Sequence, residues 1–389
     1  HWGLYAIPAR GEWIRSVERI SVEDYQQYFD EFNPVDYDPR KWARACKHAG
    51  MQYAVLTAKH HDGFCLFDSA LTDYKSTTCC GRDLVREYLD AFRAEGIRVG
   101  LYYSIIDWHH PDFPHYGDKQ HPERDNPAFK DYKYDFDKYL EYMHGQIREL
   151  CTNYGKIDIF WFDFSYDDMR GEKWKATELV RMIRSYQPDV LMDNRLEVSG
   201  EGFGSLATQN PSEYSGDFVS PEQIIPPEGV VDDMGKPVVW ESCITMNNNW
   251  GYNSRDDHFK TADMIIKKLV ECVSKGGNML LNVGPDARGN IPEKSLEILR
   301  GIGDWMRLNS ESIYGCGRSL LPRPDYGRVT QKGKTLYFHV NEPQIGFVPL
   351  AGIKADDVKC IRLLRDGSEL KIERNWITNN YPDIVFVSL

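Results

Sequence analysis

Two periods of apolar and polar residues alternate along the chain. Phe136, Leu140, Met143, Ile147 and Leu150 step by four and three, which predicts an amphipathic helix that opens at Asn126-Pro127 and stops at Gly155. Residues 157–163, Ile-Asp-Ile-Phe-Trp-Phe-Asp, are apolar and β-branched up to a terminal carboxylate. That pattern predicts a strand buried on both faces, as in a parallel sheet. The same grammar recurs. Asp38-Pro39 opens a helix with Trp42, Ala45, Cys46 and Ala49 on one face, and residues 53–57 form a strand running into Lys59-His60-His61-Asp62-Gly63. Leu84, Tyr88 and Phe92 mark a helix, and residues 98–104 a strand that leads to Asp107-Trp108-His109-His110. Residues 190–195, 212–218, 237–241 and 278–285 are further strand candidates, with a helix of Phe259, Ala262, Ile266, Leu269, Val270 and Val273 before the last. Counting residues 1–5 as the tail of a first strand, eight strands alternate with helices. This predicts an α/β chain with a (β/α)8-like, TIM-type barrel rather than an open doubly wound sheet.

Beyond the helix around Leu299, Ile302 and Met306 the pattern changes. Residues 336–340, 359–364 and 384–387 read as strands, with Lys332-Gly333 and Asp366-Gly367 as turns. The expected division is a barrel over residues 1–312 and a C-terminal β-sandwich over residues 313–389. A chain of 389 residues is long for one core, which agrees with that division.

Composition narrows the function. A net charge of −12 argues against a nucleic-acid partner, which needs a basic surface to displace counterions. No apolar run reaches membrane-spanning length. Ten Trp and 23 Tyr suit a cleft in which flat rings stack on sugar C–H faces, although core packing accounts for most aromatics. The nine Cys lack paired CxxC spacing, and Cys79-Cys80 are adjacent, so a structural zinc site of the cysteine type is not expected. The chain begins at His1 without Met or a signal-like segment, and the expectation is that processing or truncation removed what preceded it.

The rim formed by the carboxyl ends of barrel strands is where chemistry is built in such folds. Asp163 stands at that place, as the reacting group or as a cap on the following helix. A barrel would gather around it His1, Glu12, Trp13, His60, His61, Tyr103, Trp108, Trp161, Arg195, Glu222 and Glu241. Two carboxyl groups and imidazoles among aromatic walls fit glycoside hydrolysis, where one carboxylate attacks the anomeric carbon and another acid protonates the leaving oxygen. His60-His61 as metal ligands is the rival reading. Neighbours on a regular strand point to opposite faces, and no HExxH is present, so no catalytic metal is expected.

The motifs His1-Trp2-Gly3, Glu12-Trp13, Lys59-His60-His61-Asp62-Gly63-Phe64, Tyr102-Tyr103-Ser104, Trp161-Phe162-Asp163, Trp240-Glu241, Trp250-Gly251-Tyr252-Asn253 and Asn282-Val283-Gly284-Pro285 resemble, in that order, the α-L-fucosidases of glycoside hydrolase family 29. The resemblance implies a barrel followed by a β-sandwich, and a retaining enzyme without a metal or other cofactor. It implies an exo-acting hydrolase that removes terminal α-L-fucose from a fucosylated oligosaccharide or glycoconjugate. Asp163 then matches the nucleophile that forms a fucosyl-aspartate. His1, His60 and His61 match hydroxyl-binding histidines, Glu12 and Trp13 further contacts, and Trp161, Tyr103 and Arg195 pocket residues. The acid/base comes from a variable loop, and Glu222 in residues 216–222 matches it. Glu241 is the rival that barrel geometry alone favours, and otherwise a residue of the binding wall. An α-L-galactosidase with a similar pocket, or a binding protein without turnover, are the alternatives. The family also implies a secreted, periplasmic or lysosomal setting. Nothing in the sequence signals an oligomeric state.

Overall fold

A computed structural model describes residues 1–200 and 202–389. Four parallel strands, β1 (Tyr53–Lys59), β2 (Arg98–Ser104), β3 (Ile159–Asp163) and β4 (Leu191–Met192), pair in sequence order. A second parallel pair joins β5 (Glu241–Thr245) to β6 (Asn278–Asn282). Isolated parallel bridges at Asp193–Phe218, Val219–Trp240 and Glu222–Cys243 carry the pairing from β4 to β5. Helices α1 (Pro39–His48), α2 (Leu84–Ala94), α3 (Phe136–Asn153), α4 (Ala176–Tyr186), α5 (Ala262–Ser274) and α6 (Glu293–Asn309) alternate with these strands except between β4 and β5, where the described residues form only a 3-10 turn. Among the described residues, none of the helices is long and apolar enough to cross a membrane.

Local chemistry starts and stops these elements. Asp38 caps α1 through the Arg40 amide at 3.0 Å with Pro39 in the first turn, and Asp83 caps α2 through the Arg86 amide at 2.9 Å. On the sheet the period of two separates two packings. Val99, Leu101, Tyr103, Phe160 and Phe162 face the helices, whereas Tyr102, Ile159, Trp161 and Cys243 form an inner cluster with Tyr53, Val55 and Leu280 beside them. Asp163 shares the inner parity with Trp161.

The strand and helix expectations hold for most elements and fail at identifiable places. Residues 1–5 lead into a 3-10 turn, Leu4–Ala6, rather than ending a strand. Asn126 caps another 3-10 turn, Pro127–Phe129, and the long helix starts only at Phe136, capped by Asp135. Residues 212–218 contribute one bridge instead of a strand, and the strand expected over 237–241 runs from Glu241 to Thr245.

Beyond α6 the chain is antiparallel. Strands β7 (Gly317–Arg318), β8 (Gly327–Lys332) and β9 (Thr335–Val340) form one sheet, and β10 (Val348–Ala351) with β11 (Ile384–Val387) another. Phe338 and Val340 pack on Val348, Leu350, Val385 and Val387. Residues 359–364 are not a strand; Arg362 and Glu369 only bridge the turn at Asp366-Gly367.

The fold holds the end of β1 with a buried ion pair. Lys59 Nζ donates to Asp107 Oδ2 at 3.0 Å and lies 4.6 Å over the Tyr103 ring. Asp107 also accepts the His109 and His110 amides at 2.9 Å each. Gly63, at φ 83°, sits where a Cβ would lie 2.3 Å from Asp107 Oδ1, so this corner closes only around glycine. Burial would raise the Asp107 carboxyl, but Lys59, with His110 and His109, outweighs it and lowers it from 3.8 to about 2. A carboxyl lower in the folded than in the unfolded chain adds stability above the unfolded value and loses it as pH falls toward the folded one. Asp107→Asn is therefore expected to cost about 3–5 kcal/mol at neutral pH, because it strands Lys59 in the interior. Urea titrations of wild type and variant should converge as pH drops from about 4 to about 2.

Candidate active site

The strand ends and adjoining loops enclose a cavity of about 1400 Å³. Its lower part is apolar, walled by Met279 and Leu281 of β6 and by Leu299, Ile302 and Met306 of α6. The upper part is polar. His1, Glu12, Trp13, His60, His61, Tyr102, Trp161, Asp163, Arg195, Glu222 and Glu241 all line it.

Asp163, the last residue of β3, holds one donor on each oxygen. Arg195 Nη1 donates to Oδ1 at 2.8 Å and the Tyr102 hydroxyl to Oδ2 at 2.7 Å. The helix-cap alternative fails, since the residues after Asp163 form no helix before the 3-10 turn at Gly171–Trp174. The same guanidinium reaches Glu222, with Nη2 donating to Oε2 at 3.1 Å. Arg195 is 3% exposed, Asp163 15% and Glu222 38%, so the cation is sunk and the two carboxylates face the cavity from either side of it. Burial works against the Arg195 charge, yet Asp163 and its other neighbours hold the guanidinium above its usual range.

Two contacts aim Arg195. Its Nε donates to Ser220 Oγ at 2.9 Å and its Nη2 to the Ser220 carbonyl at 3.1 Å, while the guanidinium stacks 4.7 Å from the Trp161 ring. Ser220 in turn donates to Asn194 Oδ1 at 2.9 Å. A Cβ on Gly200 would fall 2.5 Å from Arg195 Nη2 and 2.8 Å from Glu222 Oε2, so glycine there leaves the pair room to meet.

Glu241 lies in the wall at the start of β5. The Tyr53 hydroxyl and Trp161 Nε1 both donate to its carboxylate, the latter at 3.0 Å. Burial raises its carboxyl, and those two bonds pull the other way. Its oxygens are thus committed to holding the indole that supports Arg195.

The imidazoles occupy the opposite side. The strand ends at Lys59, after a break in the register with β2, so His60 and His61 follow it in a turn and both rings reach the cavity, 4.1 Å apart. Ser104 donates its hydroxyl proton to the Ile106 carbonyl at 2.9 Å, and so accepts from His61 Nδ1 at 2.7 Å. That fixes the proton on Nδ1 and leaves Nε2 as an acceptor. Burial first, then the neighbouring His1 and Lys59, lower His61; His60 is lowered the same way, with His61 among its causes. Both rings are therefore neutral at neutral pH. His1 Nδ1 contacts Asn282 Oδ1 at 2.8 Å, Glu12 Oε2 accepts the Gly251 amide at 2.7 Å, and Trp13 packs edge-on to His61 at 5.1 Å.

One expectation is corrected. Tyr103 does not reach the cavity: it is fully buried toward the helices, and its hydroxyl donates to Gln146 at 2.7 Å. Its neighbour Tyr102 faces inward, because adjacent residues on a strand take opposite sides. The parity of Trp161 and Asp163 on the paired strand, Trp161 lying opposite Tyr102, is the signal that distinguishes the two tyrosines.

The family model described as alpha-L-fucosidase matches residues 1–311. A solved structure, α-L-fucosidase isoenzyme 1 from Paenibacillus thiaminolyticus, is 61% identical with a TM-score of 0.96, covering all of this chain and 91% of that one. The tissue α-L-fucosidase of Rattus norvegicus is 31% identical over 339 residues, 81% of this chain and 67% of the relative. A family 29 α-L-fucosidase from Bacteroides thetaiotaomicron was solved as a trapped covalent intermediate with 2-fluoro-fucosyl fluoride, using a Glu-to-Gln variant; it is 28% identical with a TM-score of 0.83, covering all of this chain and 89% of that one.

Tyr102→Phe removes a hydrogen bond to a carboxylate and should lower kcat on an aryl α-L-fucoside by about 10- to 100-fold. Tyr103→Phe, on the helix side of the same strand, should leave kcat within about threefold. Equal losses in the two variants would contradict the side-chain directions described above. The matched residues include all of those at the polar end of the cavity, and this chain belongs to the α-L-fucosidases of glycoside hydrolase family 29.

Proposed function

We propose that the chain is a retaining, exo-acting α-L-fucosidase that releases terminal fucose from oligosaccharides or glycoconjugates through a fucosyl-Asp163 intermediate. The observation that carries this reading is one buried guanidinium shared between an inward carboxylate on a strand end and a second, half-exposed carboxylate across the same cavity. In the first step an Asp163 oxygen bonds to the anomeric carbon as the bond to the aglycone oxygen breaks, and Glu222 supplies that oxygen with a proton. In the second, water attacks the anomeric carbon, Glu222 takes the proton, and the Asp163 ester bond breaks with net retention. Tyr102 and Arg195 hold the attacking carboxylate in one plane. His61 Nε2 accepts from a sugar hydroxyl, and His1, His60, Glu12, Trp13 and Trp161 complete the sugar-facing surface.

Glu222 rather than Glu241 is the proton carrier in this scheme. Glu222 gives up only an Arg195 contact to reach the leaving group, whereas Glu241 would have to abandon Tyr53 and Trp161. The trapped relative, obtained with a Glu-to-Gln variant, agrees with a glutamate in that role. The reading also takes the parallel strands and helices as a (β/α)8-like barrel over residues 1–312 and the two antiparallel sheets as a β-sandwich over 313–389. It sets the enzyme in a secreted, periplasmic or lysosomal compartment, as the family resemblance implies.

Asp163→Ala should abolish turnover of an aryl α-L-fucoside, by at least about 1000-fold. Glu222→Ala should lose activity that azide partly restores as a fucosyl azide, with a smaller deficit for good leaving groups. Glu241→Ala should lose activity that azide does not restore. Rescue confined to the Glu241 variant would reverse the assignment, and full activity of Asp163→Ala would remove the nucleophile.

A further inference from the structure

The loop of residues 111–125 folds on itself, with the rings of Phe113 and His115 set against His121. Within this loop His115, His121 and Glu123 each bring one ligand atom to a common point, all within 4.8 Å of one another. All three side chains are buried, with exposures of 3%, 0% and 9%. We infer that His115, His121 and Glu123 bind a divalent transition-metal ion of the zinc class, which fastens this loop to the body of the enzyme.

The hydrogen bonds favour that occupant. His115 Nδ1 donates to the Phe113 carbonyl at 2.6 Å, leaving the Nε2 lone pair free, the arrangement that orients metal-binding histidines. His121 Nε2 and Glu123 Oε2 are buried without any hydrogen-bond partner. Glu123 Oε1 receives only the Asn126 amide at 3.2 Å, and among the described residues no ion pair involves its carboxylate. A buried, uncompensated negative charge is costly, and a dication neutralises it. Two imidazoles and one carboxylate suit zinc, cobalt or nickel, and are too few and too nitrogen-rich for calcium or magnesium.

Two features oppose binding, and neither outweighs the charge. His121 Nδ1 accepts the Glu123 amide at 3.1 Å, which puts the ring proton on Nε2. The ion takes that nitrogen only as the proton leaves and this long contact opens. Arg15 is a cation near both imidazoles, with Asp107 opposite in charge. A water molecule could instead accept from His121 and donate to His115 and Glu123, but it leaves the carboxylate charge unbalanced.

The loop has a place in the enzyme. Gln120 lines the cavity, and its carbonyl accepts the Ser16 hydroxyl at 2.6 Å. Tyr166, another cavity residue, donates to Asp118. An ion between residues 115 and 123 thus stiffens the stretch that carries these wall contacts.

The test uses the full chain, stripped with a chelator and dialysed, then titrated calorimetrically with Zn²⁺ and spectroscopically with Co²⁺. One ion per chain is expected at micromolar free metal, with visible Co²⁺ bands of a low-coordinate nitrogen-oxygen site and a rise in thermal midpoint on adding Zn²⁺. His121→Gln and Glu123→Gln should each weaken binding by at least about 100-fold and abolish the rise. The wild-type titration decides even if a variant fails to fold: no saturable binding at micromolar metal means a water-filled site and overturns the inference. Binding of wild-type strength in both variants overturns it as well.

Discussion

The active end of this molecule depends on keeping one positive charge dry. Arg195 is sunk beneath the cavity surface, and an isolated guanidinium there would be expensive. It is stabilised by distributing its donors: one nitrogen on Asp163, one on Glu222 and the Ser220 carbonyl, one on the Ser220 hydroxyl, with the face on Trp161. Those partners come from two stretches of chain, Trp161 and Asp163 from the end of β3 and Ser220 and Glu222 from a single segment. The ion therefore ties the end of β3 to the segment that bridges β4 and β5, and sets the two carboxylates on one rigid, planar fork.

A second layer keeps that fork in place. Asp193, in the same turn as Arg195, accepts the Phe162 amide at 3.1 Å and the Arg195 amide at 3.4 Å. Burial raises its carboxyl well above the ordinary range, which favours the neutral acid and spares the site a third negative charge. Glu241 does the corresponding work on the other side, joining Tyr53 of β1 to Trp161 of β3 across the interior. In the mechanism proposed above neither buried acid carries the proton: Asp193 holds backbone amides and Glu241 holds an indole.

How much of this was legible in the sequence follows from which forces were local. The strand over 98–104 and the helix from Leu84 were readable because propensity, capping and apolar period agree there. The carboxylate at the end of β3 was readable for the same reason. Tyr102 and Tyr103 are not distinguished by local sequence, because two adjacent tyrosines carry no parity of their own; only pairing with β3, which sets Trp161 beside Tyr102, supplies it. The late start of α3 was hidden by Asn126-Pro127, a sound opening signal that is spent on a single 3-10 turn. The His115, His121 and Glu123 cluster had no local pattern, since its members meet by loop folding rather than by helical or strand spacing.

The two carboxylates also differ in how the backbone holds them, and this bears on their division of labour. Asp163 ends a strand paired on both sides, to β2 and to β4. At Asp163 itself the backbone is registered against Ser104 of β2, which, in the mechanism proposed above, suits a group that makes and breaks one bond along one line. Glu222 belongs to a segment with no strand-like alternation of side chains, yet the bridges at Val219–Trp240 and Glu222–Cys243 lay it alongside β5. The backbone is registered while the side chain, half exposed, remains free to leave Arg195 and turn toward the aglycone oxygen or a water. For the double displacement proposed above, a nucleophile registered in the sheet and a proton carrier registered only through its backbone suit their tasks, because the first group would keep one partner throughout whereas the second would serve two.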